Sequence, residues 1–277
     1  MKKKQSLVKS IKSLIKILRG KPQVPVSLAD NQLLQVIYDR RSVRSFKAEP
    51  IPEDVFNAIL EAGRLAPCGV NLQSWTFAVF NNDLWLQTFG CPIPFRGDRA
   101  VIIIADSSRY RQVLEEFPYC PLTEYTIAVM NASMAAMNMN IAAEALGVSS
   151  VMLSETGRSG ILDAKYLKEK LNLPDATVPL TTIVFGYARG LHPQMPPKLG
   201  MEDITIHGRY QATDRATMED WLAQMIAGYN ASHLGTNFQE QLEIYQNKIG
   251  YAENDLKEMV FYRKPGSSSD GQPKRKE

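Results

Sequence analysis

The chain has 277 residues, of which 44% are hydrophobic and 22% charged, and this is the composition of an ordinary globular protein. A chain of this length buries a large core, which excludes disulfide-dependent scaffolds, collagen-like chains and wholly disordered chains. The net charge of +3 is unevenly distributed: residues 1–21 carry eight basic and no acidic residues, whereas residues 22–262 carry a net charge of −8. Since nucleic-acid-binding proteins place their positive charge on a folded face, we expect no nucleic-acid partner.

The cysteines and histidines do not suggest a metal site. Cys68, Cys91 and Cys120 lack the short paired spacing of zinc ligands, and the chain contains three histidines. We therefore expect neither a metal ion nor a framework of disulfide bonds.

The first 21 residues predict a basic amphipathic helix. Apolar residues between Leu7 and Leu18 recur at helical spacing, with lysines among them. Because the lysines interrupt any apolar segment of a secretory signal, we expect a cytoplasmic protein. Two interpretations of this helix stay open. In the first, the helix lies on an anionic membrane surface and gives a weak peripheral contact through residues 1–21. In the second, it packs on the body of the protein or on a partner subunit.

Helices and strands are expected in turn after this segment. Ser27 and Asp30 have the spacing of a capping box and predict a helix through about Tyr38. Pro52, followed by two acidic residues, predicts a helix through about Arg64. Apolar and β-branched runs predict buried strands over Trp75–Phe80, Ala100–Ala105 and Val178–Tyr187. Further helices are expected over about 161–172, 214–228 and 236–249. This order favours an α+β fold.

Tyr125–Ala143 is a stretch of nineteen residues without a charge, which is long enough to cross a bilayer. Asn131, Asn138 and Asn140 argue against a membrane span, because unpaired amides are costly in hydrocarbon. We predict instead a central helix that is buried on most sides, with methionines that fill the core or a subunit interface.

Two groups of polar residues carry the candidate chemistry. Arg40–Arg44 places three guanidinium groups and a hydroxyl within five residues, which suits a phosphate, although the same residues would suit a solvated helix end. Ala66–Trp75 is a loop in which Asn71 and Gln73 offer both donors and acceptors to the edge of a heterocycle. The alternative for this loop is that its amides bond only to one another.

Taken together, these motifs resemble the nitroreductase family of FMN-dependent oxidoreductases. The resemblance rests on Arg-Arg-Ser-x-Arg-x-Phe, then Ile-Pro-Glu, then Ala-Pro-x-Gly-x-Asn-x-Gln-x-Trp, and it covers about residues 30–210. Weaker similarities follow at Ile141–Gly147, Val151–Glu155, Phe185–Tyr187 and Pro197–Leu199. The resemblance implies a nitroreductase-like α/β sandwich, in which helices flank a central antiparallel sheet, and a homodimer with two FMN sites at its interface.

The resemblance also implies which residues bind the phosphate end of FMN. Arg40, Arg41, Ser42 and Arg44 would hold the phosphate and the ribityl chain, and Lys198 would complete the phosphate site. Lysine stands at this last position where arginine is usual in the family, which keeps the charge but loses the bidentate geometry.

A second set of residues is implied at the flavin ring. Pro67 and Cys68 would line the ring from the partner subunit's side, Asn71 would bond the ring or ribityl edge with Gln73 nearby, and a backbone N–H near Ser154 would point at flavin N5. Cys68 replaces a usual serine, and it is either a small wall residue or a redox-active thiol.

The activity implied is that of an FMN oxidoreductase. NADH or NADPH would deliver hydride to N5, and a small aromatic acceptor, a nitroaromatic or a quinone, would then take the electrons in ping-pong fashion. We expect no catalytic side chain, since FMN carries the chemistry. The alternatives are a flavin carrier, a membrane-recruited scaffold, or a dehalogenase or dehydrogenase of the same family. Phe117, Tyr119 and Tyr125 either stack on the acceptor or form hydrophobic cover for a dimer.

The expected organisation has four parts. A basic arm spans 1–24, an FMN-binding domain 25–210, and a helical extension packed on that domain 211–262. A basic tail over 263–277 has the composition of a disordered segment.

Overall fold

The computed structural model describes residues 7–20, 22–114, 119–154, 160–233, 235 and 237–262. Its contacts group the chain into two compact units: a smaller unit of Met1–Asn31 with Gln194–Asn247, and a larger unit of Gln32–Pro193 with Lys248–Glu277. The sequence-based division at 24, 210 and 262 does not coincide with these units. The first 31 residues group with part of the C-terminal extension, and the extension itself is divided. The tail from residue 263 and Phe117 lie outside the described residues.

A four-stranded antiparallel sheet forms the centre of the larger unit, in the order β1-β2-β4-β3. Its strands are β1 Trp75–Asn81, β2 Arg99–Asp106, β3 Ser149–Leu153 and β4 Thr177–Gly186. The three strands predicted from apolar runs are confirmed, with ends within one residue. β3 was not predicted as a strand, because it is short and opens with Ser149 and Ser150.

The described part of the larger unit contains six helices, one of them only in part. They are α2 Gln32–Asp39, α3 Glu53–Arg64, α4 Asn82–Phe89, α5 Pro121–Ala145, α6 Ala164–Lys170 and the end of α9 Phe238–Val260. The helix predicted over Pro52–Arg64 is confirmed, but the helix start predicted at Ser27 is wrong. Ser27 lies in a single 3-10 turn preceded by Pro25, whose side chain offers no capping acceptor, and the helix begins at Gln32.

The sheet carries a hydrophobic core on each face, because successive side chains of a strand point to opposite faces. Ile103 and Ile183 pack in the core that includes α3 and α5. Ile102 and Val184 pack in the core that includes Trp85 of α4 and α6 residues. Helices therefore flank both faces of a central antiparallel sheet, which confirms the α+β sandwich predicted from the sequence.

Helix α5 confirms the predicted central helix and keeps one side open. Small residues fill its core side, and it approaches α3 so closely that a Cβ at Gly63 would lie 2.3 Å from Met139 Cε. Met130 and Met137, in contrast, are 60% and 39% exposed. Among the helices that the structure describes, none is long and apolar enough to cross a membrane.

The smaller unit is built on two packed helices, α1 Leu7–Arg19 and α8 Arg215–Ser232. Lys16 Nζ donates to both carboxylate oxygens of Asp220 at 2.8 Å. A short helix, α7 Met201–Ile204, and the beginning of α9 complete the unit. The helices predicted over 214–228 and 236–249 are confirmed, although α9 continues to Val260.

Candidate functional site

The arginine segment runs as an extended chain beside the beginning of β3, where Ser42 forms a parallel bridge with Ser150. Successive side chains of an extended segment point to opposite sides. The burial follows this rule, since Arg41 is buried, Arg40 and Ser42 are half-buried and Arg44 is exposed. Arg40, Ser42 and Arg44 therefore form one row of donors on the open side of the segment, which can bind an oxyanion.

Arg41 points away from this row and binds the backbone. Its Nη1 donates to the carbonyl oxygens of Tyr38 at 2.7 Å and Arg40 at 2.8 Å. These carbonyls lie at the end of α2, where helix carbonyls lack intrahelical partners and attract a cation. The side chain thus fixes the backbone that carries the row.

Glu144, near the end of α5, adds a negative group beside the arginines. Burial raises the pKa of its carboxyl group, while His192, Arg40 and Arg41 act in the opposite direction. Its Oε2 atom is buried with no hydrogen-bond partner among the described residues. Glu144 is not among the site residues predicted from the sequence, although it is the first charge after the uncharged stretch.

The loop between α3 and β1 is folded tightly around the Cys68 sulfur. Val70, Asn71 and Gln73 have φ values of 48°, 54° and 47°, a left-handed conformation that costs a non-glycine residue about 1–2 kcal/mol. Cys68 Sγ accepts the Gln73 N–H at 3.3 Å and lies 3.9 Å from Asn71 Oδ1. The thiol is therefore a hydrogen-bonding partner inside the loop.

Two residues from other elements hold this loop in place. Asn131 of α5 is 3% exposed, donates from Nδ2 to Ser74 Oγ at 2.8 Å, and accepts the Gly69 N–H at 3.4 Å. Arg109 donates to the Gln73 carbonyl oxygen at 3.0 Å. Neither residue was predicted from the sequence to hold this loop. Asn131 served there only as an argument against a membrane span.

Ser154 directly follows β3, before residues 155–159, which lie outside the described residues. Gly160 returns close to it: a Cβ there would lie 2.4 Å from Ser154 Cα, so only glycine fits. The Leu162 N–H donates to the Ser154 carbonyl oxygen at 3.3 Å. Lys198 is exposed and belongs to the smaller unit, and its role at a phosphate stays a prediction.

The register of the sheet separates the two groups of candidate residues. Trp75, next to the α3–β1 loop, pairs with Ala105 at the end of β2, whereas β3 ends at Leu153, which pairs with Thr182 in the middle of β4. Three strand spacings of about 4.8 Å place that loop about 14 Å from the β3 edge. Ser154 and the arginine segment, in contrast, lie near opposite ends of the same strand, β3.

Tyr119, which precedes α5, and Tyr125, which lies within α5 and not before it as predicted, both lie beside the C-terminal end of α9. The Tyr119 hydroxyl donates to the Tyr262 carbonyl oxygen, and the two rings meet edge to face with centroids 5.6 Å apart. Tyr125 is half-buried and lines a small cavity with Val260, and burial raises the pKa of its hydroxyl. The geometry gives both tyrosines a packing role, and their stacking on an acceptor stays a prediction.

Comparison with known proteins places this geometry in a family. The profile of the Nitroreductase family matches residues 37–86 and 94–187, which include the arginine segment, the α3–β1 loop and β3. A protein of Archaeoglobus fulgidus with an NADH dehydrogenase/NAD(P)H nitroreductase name is 30% identical over 164 residues. The match covers 57% of this chain and 86% of that protein.

Two solved structures share the fold at 20% sequence identity. NfrA2 of B. megaterium has a TM-score of 0.70, covering 84% of this chain and 100% of that chain. The NADPH:FMN oxidoreductase of Vibrio harveyi, complexed with NAD+, has a TM-score of 0.63 and covers 79% and 98%. Because the family profile matches more than half of the chain, the chain belongs to the nitroreductase family of oxidoreductases.

Proposed function

We propose that the protein is an FMN-dependent oxidoreductase that uses NADH or NADPH to reduce a small aromatic acceptor, a nitroaromatic or a quinone. The observation that carries this proposal is the row of Arg40, Ser42 and Arg44 on the open side of one extended segment. Guanidinium groups and a hydroxyl in a row suit a phosphate monoester. The fold of the V. harveyi NADPH:FMN oxidoreductase, and the NAD(P)H nitroreductase name of the A. fulgidus relative, support the same assignment.

The residues present fit an elongated cofactor with a phosphate at one end. The four residue steps from Ser150 to Ser154, which directly follows β3, span about 13 Å, with the arginine row beside Ser150 and the close Gly160 backbone beside Ser154. In this arrangement Arg40, Ser42 and Arg44 bind the phosphate and ribityl chain. Arg41 fixes their backbone, and the backbone near Ser154 meets the ring.

The second group of candidate residues reaches the cofactor from another subunit. Because the α3–β1 loop lies across the sheet from β3, Pro67, Cys68, Asn71 and Gln73 belong to the site of the partner in a homodimer. The open side of α5 offers the contact surface: Ile127, Met130 and Met137 are exposed there, and a two-fold contact would cover them.

The chain's own residues in this proposal bind and orient, and none acts as an acid or base. When bound, FMN would supply the electron transfer between the nicotinamide and the acceptor. The loop held by Asn131 and Arg109 presents its amides at a fixed position, and the partner subunit excludes water from the site. The basic segment 1–21 makes a peripheral membrane contact.

The visible absorbance of the purified protein tests the proposal. We expect the bands of oxidised flavin, their anaerobic bleaching by NADH or NADPH, and their return on addition of menadione. A yellow protein that neither nicotinamide bleaches contradicts the reductase and favours a flavin carrier. A colourless protein that does not take up added FMN contradicts the cofactor assignment.

Substitution of the row tests the phosphate site separately. Arg44→Ala should weaken FMN binding roughly ten- to hundredfold, because one charge-assisted contact is lost. Lys47→Ala is the matched control, since Lys47 is a nearby exposed cation outside the row. Riboflavin, which lacks the phosphate, should bind the variant and the wild type equally. An unchanged FMN affinity in the variant would falsify the phosphate assignment.

A further inference from the structure

Helix α1 presents three chemically different faces. One face packs on α8, where Ser13 is 7% exposed and Ile17 Cδ1 would lie 3.1 Å from a Cβ at Gly228. A second face is apolar and open to solvent, with side chains 61%, 48%, 42% and 69% exposed at Val8, Ile11, Ile15 and Leu18. The third face is basic and consists of Lys9, Lys12, Lys16 and Arg19.

The helical periodicity makes each of these faces continuous. At about 100° per residue, the four exposed apolar side chains lie within an arc of about 80°, and the four basic side chains fill a neighbouring arc of similar width. The apolar side chains therefore form one continuous stripe. Single exposed apolar residues are common on protein surfaces and need no explanation, but a continuous stripe indicates a binding surface. Packing of α1 on α8 leaves this stripe uncovered in the described structure.

We propose that α1 is a membrane-surface helix: the stripe from Val8 to Leu18 enters the headgroup region of an anionic bilayer, and the basic face binds the lipid phosphates. An exposed apolar stripe flanked by lysines is the arrangement of helices that lie in this interface. The inference deepens the peripheral contact of the proposed function. It does not require that flavin binds.

The charge distribution favours lipid over a second copy of the chain. A two-fold contact between the stripes of two antiparallel helices would bring the two basic faces to the same side, which costs electrostatic free energy. An anionic lipid surface, in contrast, neutralises that face, and each basic residue near it contributes to binding. Residues 22–262 carry a net charge of −8, so attraction to the surface depends on the basic ends of the chain, and residues 1–21 supply eight of their basic residues with no acidic residue.

An exposed ion pair joins α1 to α8 beside their packed faces. Lys16 contacts Asp220 at 2.8 Å, and hydrogen bonding from Lys16 lowers the pKa of the Asp220 carboxyl group. Lys12 and Arg19 are exposed on the same basic face. The apolar stripe and the basic residues of α1 are therefore exposed on a helix that packs against α8.

Co-sedimentation of the full-length protein with vesicles tests this inference. We expect binding to phosphatidylcholine mixed with phosphatidylglycerol, weak binding to phosphatidylcholine alone, and loss of binding at about 0.5 M salt. The double variant Lys12→Glu/Arg19→Glu and the double variant Ile11→Ser/Ile15→Ser should each lower the partition coefficient about tenfold or more. Lys170→Glu on α6 and Ile244→Ser on α9 are matched exposed controls that should bind as the wild type does.

Three outcomes overturn the inference: equal binding by the stripe variants and the wild type, equal binding to neutral and anionic vesicles, or a change of oligomeric state in the stripe variants with vesicle binding unchanged. Flavin content and NADH–menadione turnover are measured in the same samples without vesicles. A wild-type protein that turns over NADH but does not bind anionic vesicles contradicts the membrane helix alone, and a wild-type protein that binds the vesicles but takes up no flavin contradicts the oxidoreductase alone.

Discussion

A buried amide holds a loop in which three non-glycine residues have a left-handed backbone. Val70, Asn71 and Gln73 each adopt a left-handed backbone that is unfavourable for a residue with a Cβ atom. Such a loop persists only where its surroundings determine it, and Asn131 supplies two hydrogen bonds from the core. The sharp turn after α3 and the position of the candidate ring contacts therefore depend in part on this side chain of α5.

Replacement of that amide should loosen the loop. In Asn131→Ala the Ser74 hydroxyl and the Gly69 N–H lose their partner at a buried position, which should lower the free energy of unfolding by about 1–3 kcal/mol. Urea denaturation measures the loss, and Ser133→Ala, at an exposed position of the same helix, should change it by less than about 0.5 kcal/mol. Two variants of equal stability would show that the amide does not hold the loop.

The pH dependence of stability should report on Glu144. Burial raises the pKa of this carboxyl group in the folded protein, so its ionisation opposes folding. That cost is absent below the ordinary glutamate pKa of about 4.3 and grows as the pH rises through the folded pKa. Glu144→Gln should therefore stabilise the protein at neutral pH, and the gain should shrink as the pH falls to about 4.

The control variant, Glu61→Gln, should change the stability in the opposite direction. Hydrogen bonding from Arg64 lowers the pKa of the Glu61 carboxyl group. Its stabilising effect is present above the ordinary pKa and is lost as the pH falls, so Glu61→Gln should slightly destabilise the protein at neutral pH. Thermal unfolding at several pH values measures both variants. A Glu144→Gln protein that is less stable than the wild type at neutral pH contradicts the assignment.

At the scale of elements, α5 begins at a buried ion pair. Arg111 and Glu124 have side chains 8% and 3% exposed, Arg111 Nε donates to Glu124 Oε1 at 2.7 Å, and the Tyr110 hydroxyl donates to the same oxygen at 2.9 Å. Hydrogen bonding to Glu124 raises the pKa of Arg111. This pair fixes the first turn of α5 to the segment that follows β2.

Breaking this pair on one side should be costly. Glu124→Gln leaves the Arg111 charge buried without a counter-charge, and we expect a loss of about 3–5 kcal/mol in the free energy of unfolding. Glu253→Gln removes the carboxylate of an exposed ion pair with Lys257, and it should cost less than about 1 kcal/mol. Urea unfolding measures the free energy of unfolding of the two variants. Equal losses in this free energy would contradict the structural role of the buried pair.

Local patterns predicted those elements whose signal lies within a few residues. The β2 strand was found because Ala100–Ala105 is continuously apolar, and α3 was found because Pro52 and the acids after it mark a helix start. Helix α4 was missed because it is short, although Asn81 caps it by accepting the Leu84 N–H at 2.8 Å. The spacing of Ser27 and Asp30 predicted a helix start, but Ser27 lies in a 3-10 turn, because the same spacing also fits such a turn.

At the scale of the whole molecule, the arrangement of the site depends on strand order. The sequence motifs predicted both polar groups, but nothing local specifies that β4 lies between β2 and β3. That order results from the pairing of β4 with two strands that are distant in the chain, and it places the α3–β1 loop on the far edge from β3. The proposed division of the candidate site between two subunits rests on this strand order.

Dimerisation and flavin binding should consequently fail together. Met130 is 60% exposed on the open side of α5, and Met130→Glu places a charge in the proposed two-fold contact, where it would meet its own copy. We expect a shift from dimer to monomer in analytical ultracentrifugation and a loss of bound flavin in the same sample. Leu86→Glu, at a 52% exposed position of α4, is the matched control and should stay dimeric and yellow. A monomeric Met130→Glu protein with full flavin occupancy would show that one subunit completes the site, and a dimeric variant would place the interface elsewhere.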